Sequence, residues 1–189
     1  MIGLDSDAVS AQTDVGDTCN ALFGQAGWAP DKLPIALFSD YFCAICGEFE
    51  PRLHRLAHER AELRIIRHEL PLLGARSVAA AKLAIAARAQ GAYEPVSREL
   101  MQRNLRPGDS ALRQLADRHG LDATQLKADR DSAEVAAELD RELALGRRLG
   151  IPGTPALIVG RTLVIGSMAD RDLVRLIDLE ISDSDPPCR

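Results

Sequence analysis

Long apolar runs, concentrated positive charge, aromatic residues and cysteines are all scarce in this chain. No stretch approaches the ~20 consecutive apolar residues that cross a bilayer, so no transmembrane segment is expected within it. Net charge is −5 with a pI near 5.4, and the arginines are scattered or, like Arg147-Arg148, read as solvated helix faces. Binding a polyanion needs a concentrated basic patch, so no nucleic-acid partner is expected. Aromatics make up only 4% of 189 residues, against 46% hydrophobic residues dominated by Ala and Leu. That balance belongs to a folded, helix-rich protein with room for one domain and an inserted subdomain. The first twenty residues, MIGLDSDAVSAQTDVGDTCN, have neither a basic start nor an apolar core and are not a signal peptide as written. Two homes follow: the cytoplasm, or an exported mature chain whose leader is gone.

The remaining scarcity is the most informative. There are four cysteines, and two of them form Cys43-Ala44-Ile45-Cys46. The pair directly follows LPIALFSDY, a short apolar run that reads as a buried strand. It directly precedes a helical pattern with Phe49, Leu53, Leu56 and Ala57 at helical spacing, interrupted awkwardly by Pro51. Structural zinc needs four ligands. Cys19 and Cys188 are isolated at opposite ends, and His54 and His58 lie turns away on an Arg/Glu-rich surface, so no metal is expected. A redox pair fits the context. A cysteine in the first turn of a helix meets unpaired N–H groups and the positive end of the dipole. Cys43 is therefore expected to be the thiolate nucleophile, and Cys46, one turn on, the residue that resolves a mixed disulfide.

Downstream, ELRIIRHELPLL supplies a second strand, followed by a helical stretch. One Ala-rich helix is expected to open at Ser77 and close at Gly91, and another to span EPVSRELMQRNL. A third starts at Asp109 or Ser110 and stops at Gly120, and Asp122 opens a short segment. Asp131 three before Glu134 has the spacing of a capping box, with Val135, Leu139, Leu143 and Leu149 as the core stripe of the last helix. PALIVG and RTLVIG then read as a hairpin turning at Gly160-Arg161, followed by an amphipathic helix, DRDLVRLIDLEI. Pro155 precedes the first of these strands, where it cannot donate to a ladder. Its bond to Thr154 can be cis, since X–Pro is where cis is cheap, or an ordinary trans bond.

With these elements in order, the chain resembles the DsbA-like branch of the thioredoxin superfamily. The resemblance rests on ALFSDYFCAICGEFEPRL, HELPLLG, SVAAAKLAIAARAQGAYEPVSRELM and RRLGIPGTPALIVG, over roughly residues 34 to 181. It implies an α/β thioredoxin fold with an inserted all-helical subdomain. The expected division is an N-terminal extension 1–32, a thioredoxin-like domain 33–74 and 150–182, a helical insert 75–149, and a tail 183–189. It further implies a cis proline at Pro155 facing the cysteines, Thr154 offering its backbone to an extended substrate, and disulfide exchange with cysteine-containing proteins. A separate redox partner would recycle the pair, with no cofactor involved.

Relatives usually carry Cys-Pro-x-Cys, often with His or Tyr third. Neither Ala44 nor Ile45 can donate to the Cys43 sulfur, so a less acidic Cys43 and a less oxidising pair are expected than in the strongest oxidases. Disulfide formation is the favoured activity. The alternatives are isomerase or reductase action, in keeping with Thr154 before the proline, and Cu(I) binding by the two thiols, for which no Met-rich or His-rich segment speaks.

Around the pair, Asp40 is read as a strand-end residue or a proton shuttle, and Tyr41 and Phe42 as an apolar docking surface or core. Trp28 is read as a packing anchor and His68 as a satisfied structural histidine. Cys19 and Cys188 either bridge, tying the termini together, or stay free or pair with another molecule. A bridge argues for a periplasmic or other extracytoplasmic home.

Overall fold

The computed structural model describes residues 18–24, 32–103 and 107–183. Trp28 and Cys188 lie outside these residues. Residues 18–23 are helical (α1). The order thereafter is β1 (Leu33–Ser39), α2 (Ala44–Glu59), β2 (Leu63–Glu69), α3 (Ala75–Ala87), α4 (Tyr93–Arg103), α5 (Asp109–His119), α6 (Ala123–Arg130), α7 (Ala133–Arg148), β3 (Ala156–Val159), β4 (Thr162–Ile165) and α8 (Asp170–Ser182). This is the thioredoxin-like arrangement of a mixed sheet with helices, five of them between β2 and β3.

β1 is buried at every position, as befits a strand covered on both faces. The sheet order is β2-β1-β3-β4, with β1 parallel to β2 and antiparallel to β3, and β3 antiparallel to β4. Along β1, Leu33, Ile35 and Leu37 face one layer with Phe49, Leu53, Leu173 and Ile177, the inner stripes of α2 and α8. Ala36 and Phe38 face the other, with Leu22 and Phe23 of α1 and Leu145 of α7. Burying each such side chain contributes roughly 1.5–3 kcal/mol. The helices between β2 and β3 share a further core, where Leu83 and Ile85 of α3 meet Leu100, Leu112, Leu115 and Leu126. The expected stripe of α7 is present: Val135 and Leu139 are buried, and Leu143 and Leu149 pack partly buried.

Three local expectations need correction. Ser77 does not open α3. Gly74, at φ +96, is the N-cap, and Ser77 is buried inside the first turn, its hydroxyl without a partner among the described residues. Asp131 does not cap α7: it ends α6 and pairs with Arg130, while Ser132 caps α7 by accepting from the Val135 N–H. The α6–α7 junction is so short that neighbouring residues serve opposite helix ends. Pro51 does not break α2, which runs through it for 16 residues.

His68 is satisfied as expected, with ring nitrogens 2.8 Å from a Glu142 carboxylate oxygen and 2.9 Å from the Leu22 carbonyl oxygen, and its ring stacked on Phe38. It ties β2 to α7 and α1. The β3–β4 hairpin turns at Gly160-Arg161. Gly160 has φ +55, and a Cβ there would run into the Glu180 carboxylate, which accepts from the Arg161 N–H.

Candidate active site

β1 ends at Ser39, and the chain turns into α2 across Asp40, Tyr41, Phe42 and Cys43. Asp40 makes the turn. Its carbonyl accepts from the Cys43 N–H at 3.1 Å, and its carboxylate accepts from the Phe42 N–H at 2.8 Å and the Leu73 N–H at 3.0 Å. At 1% exposure the carboxylate is a cross-brace between this turn and the loop after β2.

Cys43 is the N-cap of α2 in extended conformation, and its sulfur accepts the Cys46 N–H at 3.2 Å. The thiol lies 3.4 Å from the Thr154 carbonyl oxygen. The Thr154–Pro155 peptide is cis and leads directly into β3. Both cysteines are free thiols. Cys43 keeps a sliver of surface, 8%, and Cys46 has none. Ala44 and Ile45 between them are exposed, Ile45 by half.

The two sulfurs are therefore unequal. Burial pushes the Cys46 thiol up to about 12, and its hydrogen bond with Cys43 acts in the same direction. The Asp40 backbone, the Ser39 hydroxyl and Thr154 pull back only in part. At neutral pH Cys46 holds its proton.

Beneath the pair lies a polar network that sequence reading did not single out. The Ser39 hydroxyl donates its one proton to the Glu50 carboxylate, one helical turn below Cys46. Arg67 of β2 sits between Glu50, 3.4 Å away, and Glu69, 2.5 Å away. The Tyr41 and Tyr93 hydroxyls donate to the same Glu69 oxygen, at 2.7 and 2.8 Å. Burial disfavours the Arg67 charge, but the surrounding Glu69, Tyr41 and Glu50 outweigh it and hold it protonated. Burial pushes the Tyr41 phenol upward. Tyr41 is thus core, 4% exposed, and not part of a docking surface. Only Phe42 of that pair reaches the rim. A cavity of about 210 Å³ between α2, β2 and α4 borders the network, with Glu50, His54, Arg67 and Arg98 in its wall.

The network left one faint trace in the sequence: Glu50 falls beside Phe49 and Leu53 on the buried side of α2 and is itself 5% exposed. A carboxylate buried there needs a partner.

Among the described residues, no hydrogen bond joins His54 or His58 to the cysteines. Among the described residues, no three His, Cys, Asp or Glu side chains group to hold a metal ion. No described helix is long and apolar enough to cross a membrane. Cys19 is disulfide-bonded; Cys188, its partner in one of the two alternatives above, lies outside the described residues.

Comparison with known proteins supports the geometry. The DSBA-like thioredoxin domain family matches residues 34–177. A thioredoxin-like oxidoreductase from Silicibacter pomeroyi DSS-3 is 30% identical, with a TM-score of 0.77 over 87% of this chain and 98% of that one. The thiol-disulfide exchange protein alpha-DsbA2 from Wolbachia pipientis shares the fold at 19% identity, with a TM-score of 0.76 over 94% of this chain and 99% of that one. Among curated proteins, the Na(+)/H(+) antiporter NhaA 3 of Salinispora tropica is 28% identical over 136 residues, 69% of this chain. The chain spans only 21% of that protein's length.

Proposed function

On the premise that the chain belongs to the DSBA-like thioredoxin family and is a thiol–disulfide oxidoreductase, we propose that it forms disulfides in cysteine-containing proteins, with Cys43 as the exchanging sulfur and Cys46 as its internal partner. The observation that carries this division of labour is the pairing at the start of α2. The Cys43 sulfur accepts a backbone N–H and its residue keeps 8% of its surface, while the fully buried Cys46 thiol is held protonated.

In the oxidising direction a substrate thiolate attacks the Cys43 sulfur of the Cys43–Cys46 disulfide. The S–S bond breaks, and Cys46 leaves with the electron pair and takes up a proton. A second substrate thiolate then attacks the substrate sulfur of the mixed disulfide and releases Cys43 as thiolate. Two electrons have passed to the pair, which a separate redox partner must remove. In the reducing direction Cys46 gives up its proton and attacks Cys43 in the mixed disulfide. The Ser39–Glu50 hydrogen bond offers that proton a route away from the buried Cys46 sulfur.

Thr154 and Pro155 border Cys43, and an extended substrate would pair with the backbone at Thr154. In the reduced form the Thr154 carbonyl is occupied by the Cys43 thiol. It is free for a substrate once Cys43 is in a mixed disulfide. Ala44 and Ile45 give the Cys43 sulfur no side-chain donor. A disulfide at Cys19 would be reduced in most cytosols, which supports an extracytoplasmic home and a bridge to Cys188.

Equilibration of a Cys19→Ser/Cys188→Ser variant in glutathione buffers tests the direction. A midpoint near roughly −120 to −180 mV belongs to a disulfide donor; one at about −250 mV or below makes the protein a reductant. A pair that forms no disulfide in any buffer overturns the reading.

A further inference from the structure

We propose that the rim of the cysteine site selects substrates in which the reactive cysteine is flanked by an apolar residue and an acidic one. This rests on the exchange activity above and names its substrate class.

Exposed large apolar side chains are few among the described residues, and three belong to the segments that build the site. Ile45 lies between the cysteines, 51% exposed, and Leu72 and Leu73, 45% and 56% exposed, lie in the loop after β2. That loop is not merely nearby. The Asp40 carboxylate accepts from both the Leu73 N–H and the Phe42 N–H, which fixes it against the residue preceding Cys43. Three residues on, the Arg76 guanidinium lies 4.8 Å from the centroid of the Phe42 ring. The loop carrying the two leucines and Arg76 is therefore braced to the turn that leads into Cys43.

Arg76 is exposed and has no carboxylate partner among the described residues. The neighbouring acid, Asp40, is buried with both carboxylate oxygens taken by backbone N–H groups. The Phe42 face neutralises no charge. An exposed, unpaired guanidinium beside leucines suits a peptide bearing a carboxylate next to an apolar side chain, and repels one bearing a lysine.

The test uses four matched dithiol peptides whose residues flanking the first cysteine are Leu and Asp, Leu and Lys, Ser and Asp, or Ser and Lys. Second-order rate constants are measured by stopped flow with the oxidised full chain. The disulfide forms of the same peptides are run against the reduced chain. We expect Asp over Lys by roughly two- to fivefold, the range of an exposed charge pair, shrinking in 0.3 M salt. Arg76→Glu should reverse that order and Arg76→Ala remove it, while Leu73→Ser should erase the preference for Leu over Ser. Exchange at equal rates with all four peptides, or an unchanged order in Arg76→Glu, overturns the selection but leaves the exchange activity standing. No exchange with any peptide in either direction overturns the activity and the selection together.

Discussion

The Cys43 sulfur lies 3.4 Å from the carbonyl oxygen of Thr154, although 111 positions separate them in the chain. The sheet brings them together. β1 and β3 are antiparallel neighbours with Phe38 opposite Ala156, so the end of one strand and the start of the other share one edge. The CxxC leaves that edge on α2, and the cis Thr154–Pro155 bond arrives at it.

The two cysteines should react in a fixed order. At pH 7.5, iodoacetamide should label Cys43 first, leaving Cys46 unmodified until the fold is opened, because Cys46 is fully buried and keeps its proton to about pH 12. Peptide mapping by mass spectrometry reads the order. Early labelling at Cys46 would contradict the assignment.

The raised Cys46 thiol also predicts a pH signature in stability. Below pH 9 the thiol is protonated in both the folded and unfolded chains and contributes no difference. Between the ordinary value of 9.0 and about 12 the unfolded chain loses this proton while the folded one retains it, so stability falls as pH rises through that window. Denaturant melts of the reduced protein should show this extra loss relative to Cys46→Ser. Parallel curves for the two would refute it.

Replacing Asp40 should cost stability and exchange rate together. Asp40→Ala strands the part-buried Phe42 and Leu73 N–H groups and should destabilise the protein by about 1–2 kcal/mol. Asp40→Asn keeps one acceptor but turns an amide toward the other N–H, and should fall between. Urea midpoints measure both. A fully stable Asp40→Ala would mean the cross-brace matters little.

Cys19 should be found bonded to Cys188. Non-reducing digestion and mass spectrometry should yield a linked peptide containing both, and reduction should separate it. A Cys19 peptide linked instead to a second copy of the chain would assign the disulfide to an intermolecular contact.

Much of this architecture was legible in residue order. The all-buried β1, the 3.6-residue stripes of α2 and α7, and the Gly160-Arg161 turn follow from apolar periodicity and from glycine's tolerance of positive φ, which are local properties. The cysteine pair was legible for the same reason, since its chemistry comes from two residues one helical turn apart at a strand-to-helix junction. What failed locally failed at crowded junctions. Nothing in the string decides whether Ser77 or Gly74 caps α3, or Asp131 or Ser132 caps α7, because the choice depends on where the preceding element ends.

The buried network belongs to tertiary structure alone. Ser39, Glu50, Arg67, Glu69 and Tyr41 come from β1, its following turn, α2 and β2, and no pattern within one element announces that they meet. Their burial became tolerable only once α4 and the sheet enclosed them, with Arg67 shared between Glu50 and Glu69 and the Tyr41 hydroxyl donating to Glu69. The same holds for Asp40, whose role is set by the distant Leu73 N–H, and for Cys46, whose retained proton is a consequence of burial. Residue order alone specifies the reactive pair and the strands and helices that carry it, through periodicity and short-range geometry. Only the folded chain decided which sulfur is open, which proton is held and what surrounds them, because those depend on solvent exclusion and long-range contact.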